Sequence, residues 1–120
     1  MATKKEARIA YIEVIPGIGK VLIVVFRGGW IDSIVSCEAG SMDDLVRWLG
    51  TSGYIEEIRG FETGENFRAL PDAARLECWL KGLGIQKQGL PERNMEQVAV
   101  IMEGLAEYQR AKSCKTRAGS

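Results

Sequence analysis

The chain has 120 residues, 46% of them hydrophobic and 27% charged, which fits one domain and excludes overall disorder. Its longest apolar run, residues 21–26, falls far short of the roughly 18 residues that cross a bilayer, and no signal-peptide pattern follows Lys4 and Lys5. No membrane-spanning helix and no export are therefore expected, and a cytoplasmic location is expected. Sixteen basic and sixteen acidic residues cancel, but unevenly: residues 31–107 hold seven basic and fourteen acidic residues, whereas residues 108–120 hold four basic and none acidic. An acidic body between basic ends repels phosphate and leaves only the ends to attract it.

Residues 8–15 (Ile9, Tyr11, Ile12, Val14 and Ile15) predict a strand, and residues 20–27 predict a second. The turn chemistry of Pro16, Gly17, Ile18 and Gly19 joins them as a β-hairpin. Gly28 and Gly29 break the chain before a third strand, 30–37. Strict alternation there places Trp30, Asp32, Ile34 and Ser36 on one face and Ile31, Ser33, Val35 and Cys37 on the other. In the second strand both faces are apolar: Val21, Ile23 and Val25 on one, Leu22, Val24 and Phe26 on the other. Such a strand needs cover on both sides. Three helices cover two faces thinly, which predicts burial against another chain, a homodimer or a protein partner.

Ser41 predicts an N-cap, with Asp43 and Asp44 in the first turn and Leu45, Trp48 and Leu49 as the apolar face, closed by Gly50 or Gly53. Residues 54–59 predict a short fourth strand and residues 60–69 a loop. Pro71 and Asp72 open a second helix carrying Ala73, Leu76, Leu80 and Leu83, ended by Gly82 and Gly84. Leu45, Trp48, Leu49 and Gly53 recur 31 residues later as Leu76, Trp79, Leu80 and Gly84. Two copies do not make a solenoid, so the echo reads as one packing problem solved twice. Pro91 and Glu92 open the last helix, with Met95, Val98, Met102 and Leu105 as its stripe. Gly104 inside it costs about 1 kcal/mol relative to Ala, and a close neighbouring backbone would explain it. The expected organisation is a single α+β domain over residues 1–112, an N-terminal antiparallel sheet of three or four strands packed with about three helices, and a disordered basic tail over 113–120.

Catalytic and metal chemistry is sparse. Cys37, Cys78 and Cys114 are widely spaced, no CxxC exists and there is no His. Neither a disulfide framework nor a metal site is expected, and no cofactor. Without His, a nucleophile such as Cys37 would need Lys or a carboxylate as its base. The neighbours Glu56 and Glu57, and Asp43 and Asp44, point apart and do not form acid–base pairs. No catalytic residue is assigned, and an enzyme of unknown chemistry is the weakest reading. Gly19-Lys20 is not a phosphate-binding P-loop, because Val21 stands where Ser or Thr is required. The turn Pro16-Gly17-Ile18-Gly19-Lys20 resembles the hairpin of helix-hairpin-helix DNA-binding domains, which implies backbone contact with a phosphate. In that family a helix follows the turn; here Ile23 lies in a β-branched run.

The segment 59–68 gathers Arg59, Phe61, Phe67 and Arg68, side chains enriched at binding hot spots, and these form the candidate partner-binding site. The competing reading folds Phe61 and Phe67 inward as core anchors, and Trp30, Trp48 and Trp79 read as core. A hairpin, a third strand and a helix with a Leu-x-x-Trp-Leu face are similar in outline to several small phage-encoded inhibitor proteins, including some anti-CRISPR proteins, an outline that many unrelated α+β domains share. The expected function is a non-enzymatic protein-binding module, an inhibitor or adaptor. The alternative is nucleic-acid binding through the basic termini and the 16–20 turn.

Overall fold

A computed structural model describes residues 7–15, 20–38 and 41–118, with side chains through Tyr108. The strands β1 (Arg8–Ile15), β2 (Lys20–Arg27) and β3 (Trp30–Cys37) stand where the β-branched runs place them. After α1 (Met42–Ser52) and a 3₁₀ turn (Tyr54–Glu56) come β4 (Ile58–Thr63), the one-turn α2 (Glu65–Arg68), α3 (Ala73–Gly82), β5 (Gln86–Lys87) and the long α4 (Glu92–Ala118). The sheet order is β3-β2-β1-β4-β5. β1 pairs antiparallel with β2, and β2 with β3, while β4 runs parallel to β1 and β5 parallel to β4. The class is α+β, as expected, with a mixed sheet.

β2 lies between β1 and β3, and all of Val21, Leu22, Ile23, Val24, Val25 and Phe26 are buried. One sheet face, with Ala10, Ile12, Ile23 and Val25, packs against Leu45 and Leu49 of α1, Phe67 of α2 and Leu76 and Leu80 of α3. The other face, with Tyr11, Ile15, Leu22, Val24 and Phe26, is covered by Val98, Ile101, Met102 and Leu105 of α4. The hairpin therefore finds cover on both faces within its own chain. The packing argument for a second chain does not hold at β2; α4, with Leu90 just before it, closes the second face. Its first turns are tied to the β2–β3 turn. The buried Asn94 donates its Nδ2–H to the Gly28 carbonyl at 3.1 Å, and Gln97 Nε2 donates to Gly29 at 3.4 Å. α4 continues to Ala118, into the segment 113–120 that the sequence suggested as a tail.

The 31-residue echo is geometrical. Leu45 and Leu49 of α1 are buried as Leu76 and Leu80 of α3 are, and Gly53 and Gly84 both take φ +86°. That left-handed conformation closes each helix, and L side chains rarely adopt it. Ser41 caps α1 as expected, its Oγ accepting from the Asp44 N–H at 3.2 Å.

Two expectations shift. The fourth strand begins at Ile58, not Tyr54, and runs through Gly60, which is strand and not loop. The Gln88 side chain lies over Gly60, where a Cβ would be. In β3 the register slips: Val25 pairs with Ser33 but Phe26 pairs with Ile31, so Asp32 is an extra, bulged residue. The bulge moves Ile31 onto the face of Ile34 and leaves Trp30 on the other, reversing the alternation expected at the start of the strand. Gly104 has nothing within 4 Å of where its Cβ would be, so no backbone among the described residues explains it.

Candidate functional site

The segment 59–68 is not a loop. It is the end of β4, a turn at Gly64, and α2. Phe61 and Phe67 are 0% exposed and belong to the core under α1 and α3. They cannot touch a partner, so their assignment as contact residues is replaced by core anchoring: Phe61 faces Ala10 across the parallel pair, and Phe67 is the buried residue of α2. Arg59 and Arg68 are exposed. Arg59 Nη1 donates to the carbonyls of Glu56 at 3.0 Å and Ile58 at 3.3 Å, a local brace. Arg68 Nη1 donates to the Thr63 carbonyl and stands 3.8 Å from Glu62 Oε1.

Arg68 lies beside a polar cluster that the sequence reading passed over. Glu13, the one acid in β1, is only 5% exposed. Its Oε1 accepts the N–H groups of Phe67 at 2.7 Å and Val14 at 2.8 Å, and its Oε2 accepts that of Asn66 at 3.3 Å. A carboxylate from β1 thus caps α2, satisfying donors that a helix start otherwise leaves orphaned. The turn at Gly64 permits this, since a Cβ there would collide with Glu13 and with the Tyr11 hydroxyl. Burial, then the charge of Glu13, pushes the Tyr11 phenol up to about 12, with Glu62 adding to the shift and Arg68 opposing it. Together Tyr11, Glu13, Glu62, Glu65 and Arg68, with Leu90 and Met95 of the opposite wall, line a cleft of about 490 Å³.

The most exposed apolar side chains of the sheet lie elsewhere, on its edge strand. In β3, Trp30 is 74% exposed and Ile34 49%, and Ile31 is also exposed. Trp30 was expected in the core; the last position in the sheet and the glycine turn beside it hold it in solvent instead. Among the described residues nothing pairs with the outer side of β3 in the sheet. Natural edge strands are blunted by brevity, by Lys or other charges, by Pro or by a bulge. β3 has eight residues, no Lys, no Arg and no Pro; its guards are the bulge and the one charge, both at Asp32, whose carboxylate is held by Arg8 Nε at 3.0 Å. The opposite edge, β5, is guarded by brevity and by Lys, being two exposed residues, Gln86 and Lys87. The strand β3, with its single charge, was legible in the sequence; its position at an edge was not.

Cys37 closes β3 half-buried, and burial pushes its thiol up, the opposite of an activated nucleophile. Cys78 is exposed, and Cys114 lies outside the described side chains. The turn residues Pro16 to Gly19 and the basic residues Lys4, Lys5, Arg110, Lys112, Lys115 and Arg117, on which nucleic-acid binding was expected to rest, also lie outside the described residues or side chains; Lys20 stands 3.9 Å from Glu38. Among the described residues, no group of three or more His, Cys, Asp or Glu could hold a metal ion, and no helix is long and apolar enough to cross a membrane. Compared with protein-family models the chain matches none, and compared with curated proteins it likewise matches none.

Proposed function

We propose that this chain is a protein-binding module, of the inhibitor or adaptor kind, that takes an extended segment of its partner as a sixth strand alongside β3. The observation that carries this is the contrast between the two edges of one sheet: β5 short and polar, β3 long, with the single charge of Asp32 and bearing exposed Trp30, Ile31 and Ile34. Strand addition draws affinity from main-chain hydrogen bonds and specificity from alternate side chains. On this edge the bulge at Asp32 gathers Ile31 and Ile34 on one face and leaves Trp30 on the other, so a bound segment carries apolar residues at alternating positions to meet them.

Panning a random peptide library tests the reading. Wild-type protein should enrich peptides with alternating apolar residues, and methylating alternate backbone nitrogens of a captured peptide should abolish binding. Ile34→Lys should lose the same peptides. Equal capture by the variant, or indifference to backbone methylation, removes β3 from the function. If the segment comes from a second copy of this protein, Ile34→Lys converts a dimer to a monomer in sedimentation.

A further inference from the structure

The cleft beside Glu13 is a different surface from β3, and it is built as a binding site. Tyr11 is 5% exposed, yet its hydroxyl has no hydrogen-bond partner among the described residues, and it ends beside Gly64 in the lining of the cleft. The ring is buried while the hydroxyl at its end opens on the cleft, the amphipathic placement in which a phenol offers its oxygen to a ligand or to water. Glu13 Oε2 ends beside the same Gly64 and accepts only the long 3.3 Å bond from Asn66, while Oε1 takes the two short ones. Glu62 shows the same asymmetry. Its Oε1 accepts the Thr63 N–H at 2.9 Å and faces Arg68, whereas its Oε2 is turned toward Gly89, across the cleft. Two carboxylate oxygens and a phenol oxygen with spare acceptor capacity therefore belong to residues that line one cleft, with Glu65 beside them. Against three carboxylates there is one cation, Arg68, which the Thr63 carbonyl already engages. The remaining wall, Leu90 and Met95, is apolar.

We infer that this cleft binds an organic cation, a primary ammonium or guanidinium on a short alkyl chain, whose N–H groups reach Tyr11 Oη, Glu13 Oε2 and Glu62 Oε2 while its methylenes lie on Leu90 and Met95. The donors match the acceptors: a cationic N–H group satisfies an ionised carboxylate more strongly than a neutral donor does. The alkyl chain matches the apolar wall, as long basic side chains do when their stems lie on apolar surface. The cation comes either free or as a Lys or Arg side chain of another protein.

Calorimetric titration of the full chain with agmatine, which carries both cationic groups, tests the assignment, beside a blocked Gly-Arg-Gly peptide and neutral pentanol. Saturable binding of agmatine or of the peptide, and none of pentanol, is expected. The tighter of the two cations identifies the source. Glu62→Gln, which keeps an acceptor for the Thr63 N–H, and Tyr11→Phe should each weaken binding about tenfold or more. Their unfolding midpoints are compared with wild type, and a tenfold loss in a variant that melts like wild type counts for the site. No saturable binding of either cation, equal binding of pentanol, or affinity unchanged in both variants overturns the inference. Because β3 is untouched by these variants, peptide capture at that edge is scored separately.

Discussion

Glu13 and Phe67 are 54 residues apart in the chain, and the carboxylate of the first accepts the backbone N–H of the second at 2.7 Å. This bond fastens the start of α2 to the middle of the sheet, and through Phe67 it fixes the layer on which α1 and α3 rest.

Glu13→Ala leaves the buried Phe67 N–H and the part-buried Asn66 N–H without their acceptor. The expected loss is about 1–3 kcal/mol of unfolding free energy, measured by urea titration. Gly64→Ala should be at least as damaging, because the new methyl group collides with Glu13 and Tyr11. Wild-type stability in both variants would mean that the carboxylate does not hold α2.

Phe67→Ala removes a fully buried ring and should cost about 3–5 kcal/mol, whereas Arg59→Ala, at an exposed position, should stay within about 0.5 kcal/mol. The pair separates core from surface within one segment. In the sequence they looked alike, since an aromatic beside an arginine marks a hot spot and a core edge equally. What decided between them was β4 pairing in parallel with β1, a long-range contact that local pattern does not encode.

Gly53→Ala and Gly84→Ala each force an L side chain to φ +86°, and each should lower stability by about 1–2 kcal/mol, read as equal shifts of the denaturation midpoint. A large difference between them would break the equivalence of the two helix ends. Here the sequence was informative: the 31-residue echo, the hairpin, the third strand and the cap at Ser41 all depend on local periodicity and turn chemistry. The bulge at Asp32 was not legible, because a single extra residue shows only against a paired strand. Nor was the Glu13 cap, whose partners lie far along the chain, although an acid inside an apolar strand was itself a signal.

Tyr11 should ionise near pH 12, above its ordinary 10.0, because burial and the Glu13 charge disfavour the phenolate. The unfolded chain loses this proton first. The stability it contributes is therefore complete below pH 10 and lost as pH rises toward 12. The fall of stability with pH over this range should be shallower in Tyr11→Phe, as followed by urea titration, and phenolate absorbance should lose its latest component. Parallel pH curves for the two proteins would place the phenol in water.

The edge strand carries the central claim, and amide hydrogen exchange along β3 tests it most directly. The outward-facing amides of β3 have no partner strand among the described residues and should exchange quickly in the free protein. On adding a peptide captured by the wild-type chain, those amides should slow in alternation along residues 30–37, and the pattern should vanish in Ile34→Lys. Slowing confined to other elements, with the β3 amides unchanged, would contradict the account and place the binding surface elsewhere.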